Sequence, residues 1–288
     1  MNKLSIAKRA AIIRALVEGS SIRSITRQMQ CGKGTILRLL AEVGEFCAGY
    51  QHYSLRHLRC TRIEADEVWA FVGAKEKNAK RSDQGDLWTY TAVCADTKLL
   101  VSWLIGPRSR YATRAFMADL AGRLSGRVQL TTDGLYYYES AVKLAFGNEG
   151  CDYAQTVKQF GNPTDTHSDS PTARRYSPAQ CTGVVKTWKM GAPDMELAST
   201  SYVERNNLHI RQSNRRYARL TNAFSKKAQN HIHAFAIQAM YFNYCRPHGT
   251  LTKKAEGKKT TPAMAAGLAR SAWTVEQVLQ RMDAIFVL

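Results

Sequence analysis

Near residue 62 the spacing of apolar side chains changes from a helical repeat to an extended one, which limits the chain to a helical unit followed by an α/β body. Before the switch, Ile6, Ala10, Ile13 and Leu16 recur at helical spacing, and Gly19 supplies a stop. Ser20 or Ser21 can cap a second short helix that buries Ile22, Ile25 and Met29. Cys31-Gly32-Lys33-Gly34 then turns the chain into a third helix, where Ile36, Leu39, Leu40 and Val43 form one apolar stripe. Lys33, Thr35 and Arg38 point outward near its start. This is the arrangement of a helix-turn-helix, whose last helix reads base edges in the major groove; a three-helix interaction module is the alternative.

After a polar linker rich in Arg and His, Ile63 to Val72, Leu87 to Ala95 and Leu99 to Ile105 read as strands, with Asp96-Thr97-Lys98 as a turn. Thr113 to Leu124 reads as a helix, Val128 to Thr132 as a buried strand and Tyr138 to Phe146 as a second helix. That order predicts a mixed sheet with helices on its faces, as in the ribonuclease H type of fold. The expected division is a DNA-binding unit over 1–48, a linker over 49–62, a mixed-sheet domain over 63–245 with an insertion at about 162–199, and a basic, helical tail over 246–288.

Charge narrows the partner. The 41 Lys and Arg against 23 Asp and Glu leave +18, an excess suited to a polyanion, with nucleic acid first. The excess is local: residues 1–50 carry +5 and 201–250 carry +7, whereas 151–200 balance to zero. No apolar run approaches about 18 residues, and the charged N-terminus lacks a signal-peptide pattern, so neither a membrane span nor export is expected. Seven cysteines, an odd number in a chain of this kind, predict reduced thiols in a cytosol-like compartment.

Three carboxylates stand out. Asp66 lies among the apolar strand residues Ile63, Ala65, Val68, Trp69, Phe71 and Val72 and must find a partner or a metal. Asp133 closes the fourth strand, where turn formation is the ordinary role of Asp-Gly. Glu204 is the one acid between residues 201 and 250, and with Ser201 it also fits a capping box. Asn207 and Arg211 follow at i+3 and i+7, so one helix face carries a carboxylate, an amide and a guanidinium. Carboxylates beside a basic surface suit Mg²⁺, which prefers hard oxygen ligands. Glu64 and Glu67 compete with Asp66, and strand alternation puts Glu64 on its face and Glu67 on the other. Glu196, expected in a loop, ranks below Glu204.

The segments Asp66-Glu67-Val68-Trp69, Thr132-Asp133-Gly134 and Ser201-Tyr202-Val203-Glu204-Arg205-Asn206-Asn207, with Arg219 to Lys227, resemble the DDE transposases of the insertion sequence one family. The resemblance runs from about residue 20 to 270 and takes in Ser177 to Gly183 and Thr261 to Leu268. It implies that Asp66, Asp133 and Glu204 are a catalytic triad holding two Mg²⁺ ions, with Mn²⁺ as a substitute, on a ribonuclease H-like fold. It also implies cleavage and strand transfer of double-stranded DNA at element ends and target, a homodimer or higher oligomer on DNA, and a cytoplasmic, nucleoid-associated location. DNA contacts are expected from Lys33, Thr35, Arg38, Arg205, Asn207, Arg211, Arg215, Arg216, Lys226 and Lys227. A DNA-binding regulator that has lost catalysis, or a nuclease without strand transfer, are the alternatives. Unlike some family members, the chain has no Cys or His in residues 1–20 to build a zinc segment before the helix-turn-helix.

Other groupings have plainer readings. Cys47, His52, His57 and Cys60 match no established zinc spacing. His231 and His233 sit on the apolar face of a long helix expected over Ala223 to Tyr244. Tyr136, Tyr137 and Tyr138 either pack a helix start or stack on an unpaired base. Lys253, Lys254, Lys258 and Lys259 form a basic loop that is either solvated or against a phosphate backbone.

Overall fold

The computed structural model describes residues 3–147, 150–161, 180–219 and 221–285. Three helices lead the chain: α1 (Ile6–Val17), α2 (Ile22–Met29) and α3 (Lys33–Ser54). Ser5 and Ser21 cap the first two by accepting from Lys8 N and Ser24 N. The third starts at the expected lysine but runs to Ser54, so the polar stretch from residue 49 begins as helix.

Six strands follow: β1 (Arg62–Val72), β2 (Gly85–Cys94), β3 (Leu100–Gly106), β4 (Val128–Thr132), β5 (Cys151–Gly161) and β6 (Gln180–Met190). They form one mixed sheet in the order β3-β2-β1-β4-β5-β6. β1 pairs antiparallel with β2 and parallel with β4, while β5 runs parallel to β4 and antiparallel to β6. This order is compatible with a ribonuclease H-like domain. Part of the expected insertion is therefore sheet, because β6 lies within it and forms the edge. Residues 162–179 of that insertion, the first part of the Ser177 to Gly183 motif and Leu220 lie outside the described residues.

Helices α4 (Arg110–Ala121) and α5 (Tyr137–Phe146) pack on the side of the sheet that presents Ile63, Ala65 and Leu130. The opposite side presents Val68, Ala70 and Val93 to α6 (Ser201–Ser213) and α7 (Ala228–Met240), where Val203, Ile210 and Phe235 complete a second cluster. A π-helical turn over Tyr241–Cys245 extends α7 to about the length the sequence predicts. Short helices α8 (Gly249–Lys254) and α9 (Pro262–Ala265) lead to α10 (Val275–Ile285). No described helix is long and apolar enough to cross a membrane.

The front helices share one continuous core with the sheet. α1 is tied to α10 by Arg9, whose two terminal nitrogens donate to Asp283 at 2.9 and 2.6 Å. α3 crosses α7 at Gly44, where an added Cβ would lie 2.4 Å from the Cβ of His233 and 2.6 Å from its Cα. His233 is accordingly a buried crossing residue. Because neither backbone can yield freely, Gly44→Ala is expected to destabilise the chain by about 1–3 kcal/mol in urea denaturation. Unchanged stability would mean that the two helices separate at little cost.

Candidate metal centre

Asp66 and Asp133 come together through strand register. Ala65 pairs with Thr132 across the parallel β1–β4 ladder, and one step further sets Asp66 abreast of Asp133. Each carboxylate is held from one side: Asp66 Oδ1 accepts from Glu67 N at 2.7 Å, and Asp133 Oδ1 accepts from Leu135 N at 3.1 Å. Asp133 thus also makes the local turn that its Asp-Gly pair suggests.

The third carboxylate of the cluster is Glu67. Ligand oxygens of Asp66, Glu67 and Asp133 lie within 4.8 Å of one another, close enough to hold a metal ion, and this is the one such group among the described residues. Alternation does send Glu67 to the α4–α5 side, but β4 ends at Thr132. Beyond that point β1 and β5 run on with no described strand between them, so acids from both faces of β1 can reach Asp133. Arg108, in the loop between β3 and α4, donates to Glu67 Oε2 at 3.1 Å, lies 3.7 Å from Asp133 Oδ2 and stacks over Trp88.

Glu204 stands beside this cluster. Its negative charge acts on Asp66 and Asp133, yet its oxygens are engaged by the Lys158 ammonium and by Thr200 Oγ1, which donates at 2.8 Å. The capping box that Ser201 and Glu204 could also fit is not made, since Ser201 lies inside the helix and Thr200 takes the capping position without a side-chain bond to the backbone. Instead Glu64 reaches across from β1, and its Oε2 accepts from Tyr202 N at 2.7 Å and Val203 N at 3.1 Å. A carboxylate at a helix N-terminus satisfies orphan donors and the positive end of the dipole together. It fixes α6 so that Asn207, itself buried, donates to Asp66 Oδ2 at 2.9 Å while Thr91 Oγ1 donates to Asn207 Oδ1 at 3.1 Å.

Burial, with Asp133 second, pushes Asp66 up to about 6 and Glu67 up to about 8. Burial also raises Asp133, and it lifts Glu64 to about 7 against its two backbone bonds. Glu67 Oε1 and the Tyr138 hydroxyl are buried side by side, and neither has a partner other than the other among the described residues. Buried carboxylates crowded within 4.8 Å fit a hard divalent cation, which would supply the missing positive charge.

The other expected contact residues divide. Lys33, Thr35 and Arg38 are exposed at the start of α3, and Arg205, Arg215, Lys226 and Lys227 are exposed along 205–227. Asn207 does not face outward, because its amide is spent on Asp66. Arg211 is partly buried and feels the charge of Asp66. Arg216 turns inward beside Tyr217 and His231, lining a small cavity with Leu16 and Leu40. Cys47 sits in the core while His52 is exposed, which leaves the zinc grouping unassembled. Tyr138 packs inside, whereas Tyr136 stays exposed. Glu67 is legible in the sequence as a competitor, but the family resemblance selects Asp66 over it; Arg108 and Lys158 carry no signal beyond being basic.

Comparison with protein-family models found none that matches the chain, and a search of curated proteins gave no significant match.

Both Asp66 and Glu67 titrate above their ordinary values, so between about pH 4 and 8 the folded chain binds more protons than the unfolded one. The stability they contribute is complete below about pH 4 and is lost as pH rises through about 6 for Asp66 and about 8 for Glu67. Without divalent cations, wild type should lose at least about 2 kcal/mol more between pH 5 and pH 8 than Asp66→Asn/Glu67→Gln, measured by urea unfolding. Equal losses would show that the acids are not strained against each other.

Proposed function

We propose that the protein is a DDE-type DNA transposase that binds the ends of an insertion sequence and catalyses phosphodiester cleavage and strand transfer. The observation that carries the reading is the meeting of Asp66 and Asp133 at one sheet edge, with Glu204 close enough for its charge to act on both. A sheet order compatible with a ribonuclease H-like domain supports it, as do the net charge of +18 and the resemblance carried by the Glu204 block.

In this reading Asp66 and Asp133 hold Mg²⁺ together with Glu204, and Glu67 adds a fourth carboxylate from the opposite face. Bound Mg²⁺, or Mn²⁺ in its place, supplies Lewis-acid stabilisation of the charge that develops on the phosphate and on the attacking and leaving oxygens. Asn207 is a positioning residue, because it keeps one oxygen of Asp66 aimed while leaving the carboxylate able to ligate. Arg108 and Lys158 pair with the acids, and in this reading they are also the cations a DNA phosphate would meet. The exposed start of α3 reads duplex sequence, and two copies of the chain bring two ends together.

The chain should join pre-cleaved element ends to a supercoiled plasmid in the presence of Mg²⁺. Asp66→Ala, Asp133→Ala and Glu204→Ala should each abolish cutting and joining while leaving end binding within a few fold. Wild-type cutting by Glu204→Ala beside an inactive Glu67→Gln would move the third ligand to Glu67. Cutting without joining would make the chain a nuclease, and end binding with neither would make it a DNA-binding regulator.

A further inference from the structure

A cavity of about 380 Å³ opens on the side of α6 turned away from Asp66, between that helix, the β2–β3 turn and the chain after α7. Its volume falls within the range of about 300 to 1,000 Å³ of small-molecule pockets. Lys98, Arg205, His209, Arg246 and His248 all line it, and among the described residues no carboxylate does.

Lys98, Arg246 and His209 are held in place. Lys98 is buried with φ 59°, a left-handed conformation uncommon for lysine, and its ammonium lies 3.0 Å from the ring centre of Tyr202 and donates to Ala95 O. Arg246 Nη1 is within 3.1 and 3.0 Å of the two ring nitrogens of His209. Burial and the neighbouring Arg246 and Arg205 hold His209 down at about 4.

Two polar groups on the lining lack partners. Asn206 is 6% exposed and its Nδ2 has no hydrogen bond among the described residues, and His248 Nδ1 has none either. Cations gathered without an acid, beside an orphan amide donor, call for an anion with several acceptor oxygens. Aromatic walls, Tyr202 and Phe242, suit an attached ring.

We propose that this cavity is a binding site for the phosphate group of a nucleotide unit, with Arg205 and Arg246 as its charged clamps and Asn206 as its buried donor. The site is separate from the carboxylate cluster, and it stands whether or not the chain cuts DNA.

The test is calorimetric titration of the full chain with inorganic phosphate, a 5′-mononucleotide and a short single-stranded oligonucleotide. Phosphate and mononucleotide should bind at one site, the mononucleotide more tightly. Arg246→Gln and Arg205→Gln, both at exposed positions that leave the core untouched, should each weaken binding about tenfold or more. Displacement of the mononucleotide by the oligonucleotide assigns the phosphate to a nucleic-acid strand, and retention of the mononucleotide assigns it to a free nucleotide. Absence of binding, or wild-type affinity in both variants, overturns the proposal, even if cutting and joining proceed as expected.

Discussion

Mutual repulsion among acids withdrawn from water is the constraint around which this molecule is organised. Asp66, Glu67 and Asp133 crowd within 4.8 Å, and their only close cation among the described ion pairs is the Arg108 guanidinium. Such a grouping persists only when the surrounding fold over-determines it. Here the parallel β1–β4 ladder fixes two of the acids, and the Asn207 amide and two backbone N–H groups secure individual oxygens. Ordinary folding stability would be served better by apolar residues at this edge, so the retained charge is the strongest physical argument for chemistry there.

Much of the sheet was legible because strand and helix periods are local properties. β1, β4, α5 and the three front helices all fall close to where apolar spacing puts them. Asp66 was legible for a related reason, as a charge among the apolar residues of a strand, although Glu64 and Glu67 carry the same signal. What escaped depends on residues distant in sequence. Alternation along β1 correctly assigns Glu67 to the other face, but only the early end of β4 lets that face share the edge. Ser201 and Glu204 have the spacing of a capping box, yet Glu64, from a strand far back in the chain, takes the N-terminal donors of α6. The strand β6 was hidden in a segment whose prolines mark it as an insertion.

Helix α6 is the shared beam of the structure. One face gives Asn207 to the acidic cluster, and the other gives Arg205, Asn206 and His209 to the basic cavity. Glu64 holds the end from which both faces emerge. A shift of this helix along its axis would move an anion-seeking surface and a cation-seeking one together, so the two cannot be tuned independently.

The helix α3 carries a different implication. Its 22 residues form an uninterrupted rod of about 33 Å, pinned to α7 at Gly44 midway along and exposed at its first turn. A rod of that stiffness acts as a ruler: whatever its tip grips is kept at a set span and rotational phase from the body behind it. Lengthening it by one residue would swing the tip by about 100° relative to the sheet, changing the direction of approach as well as the reach.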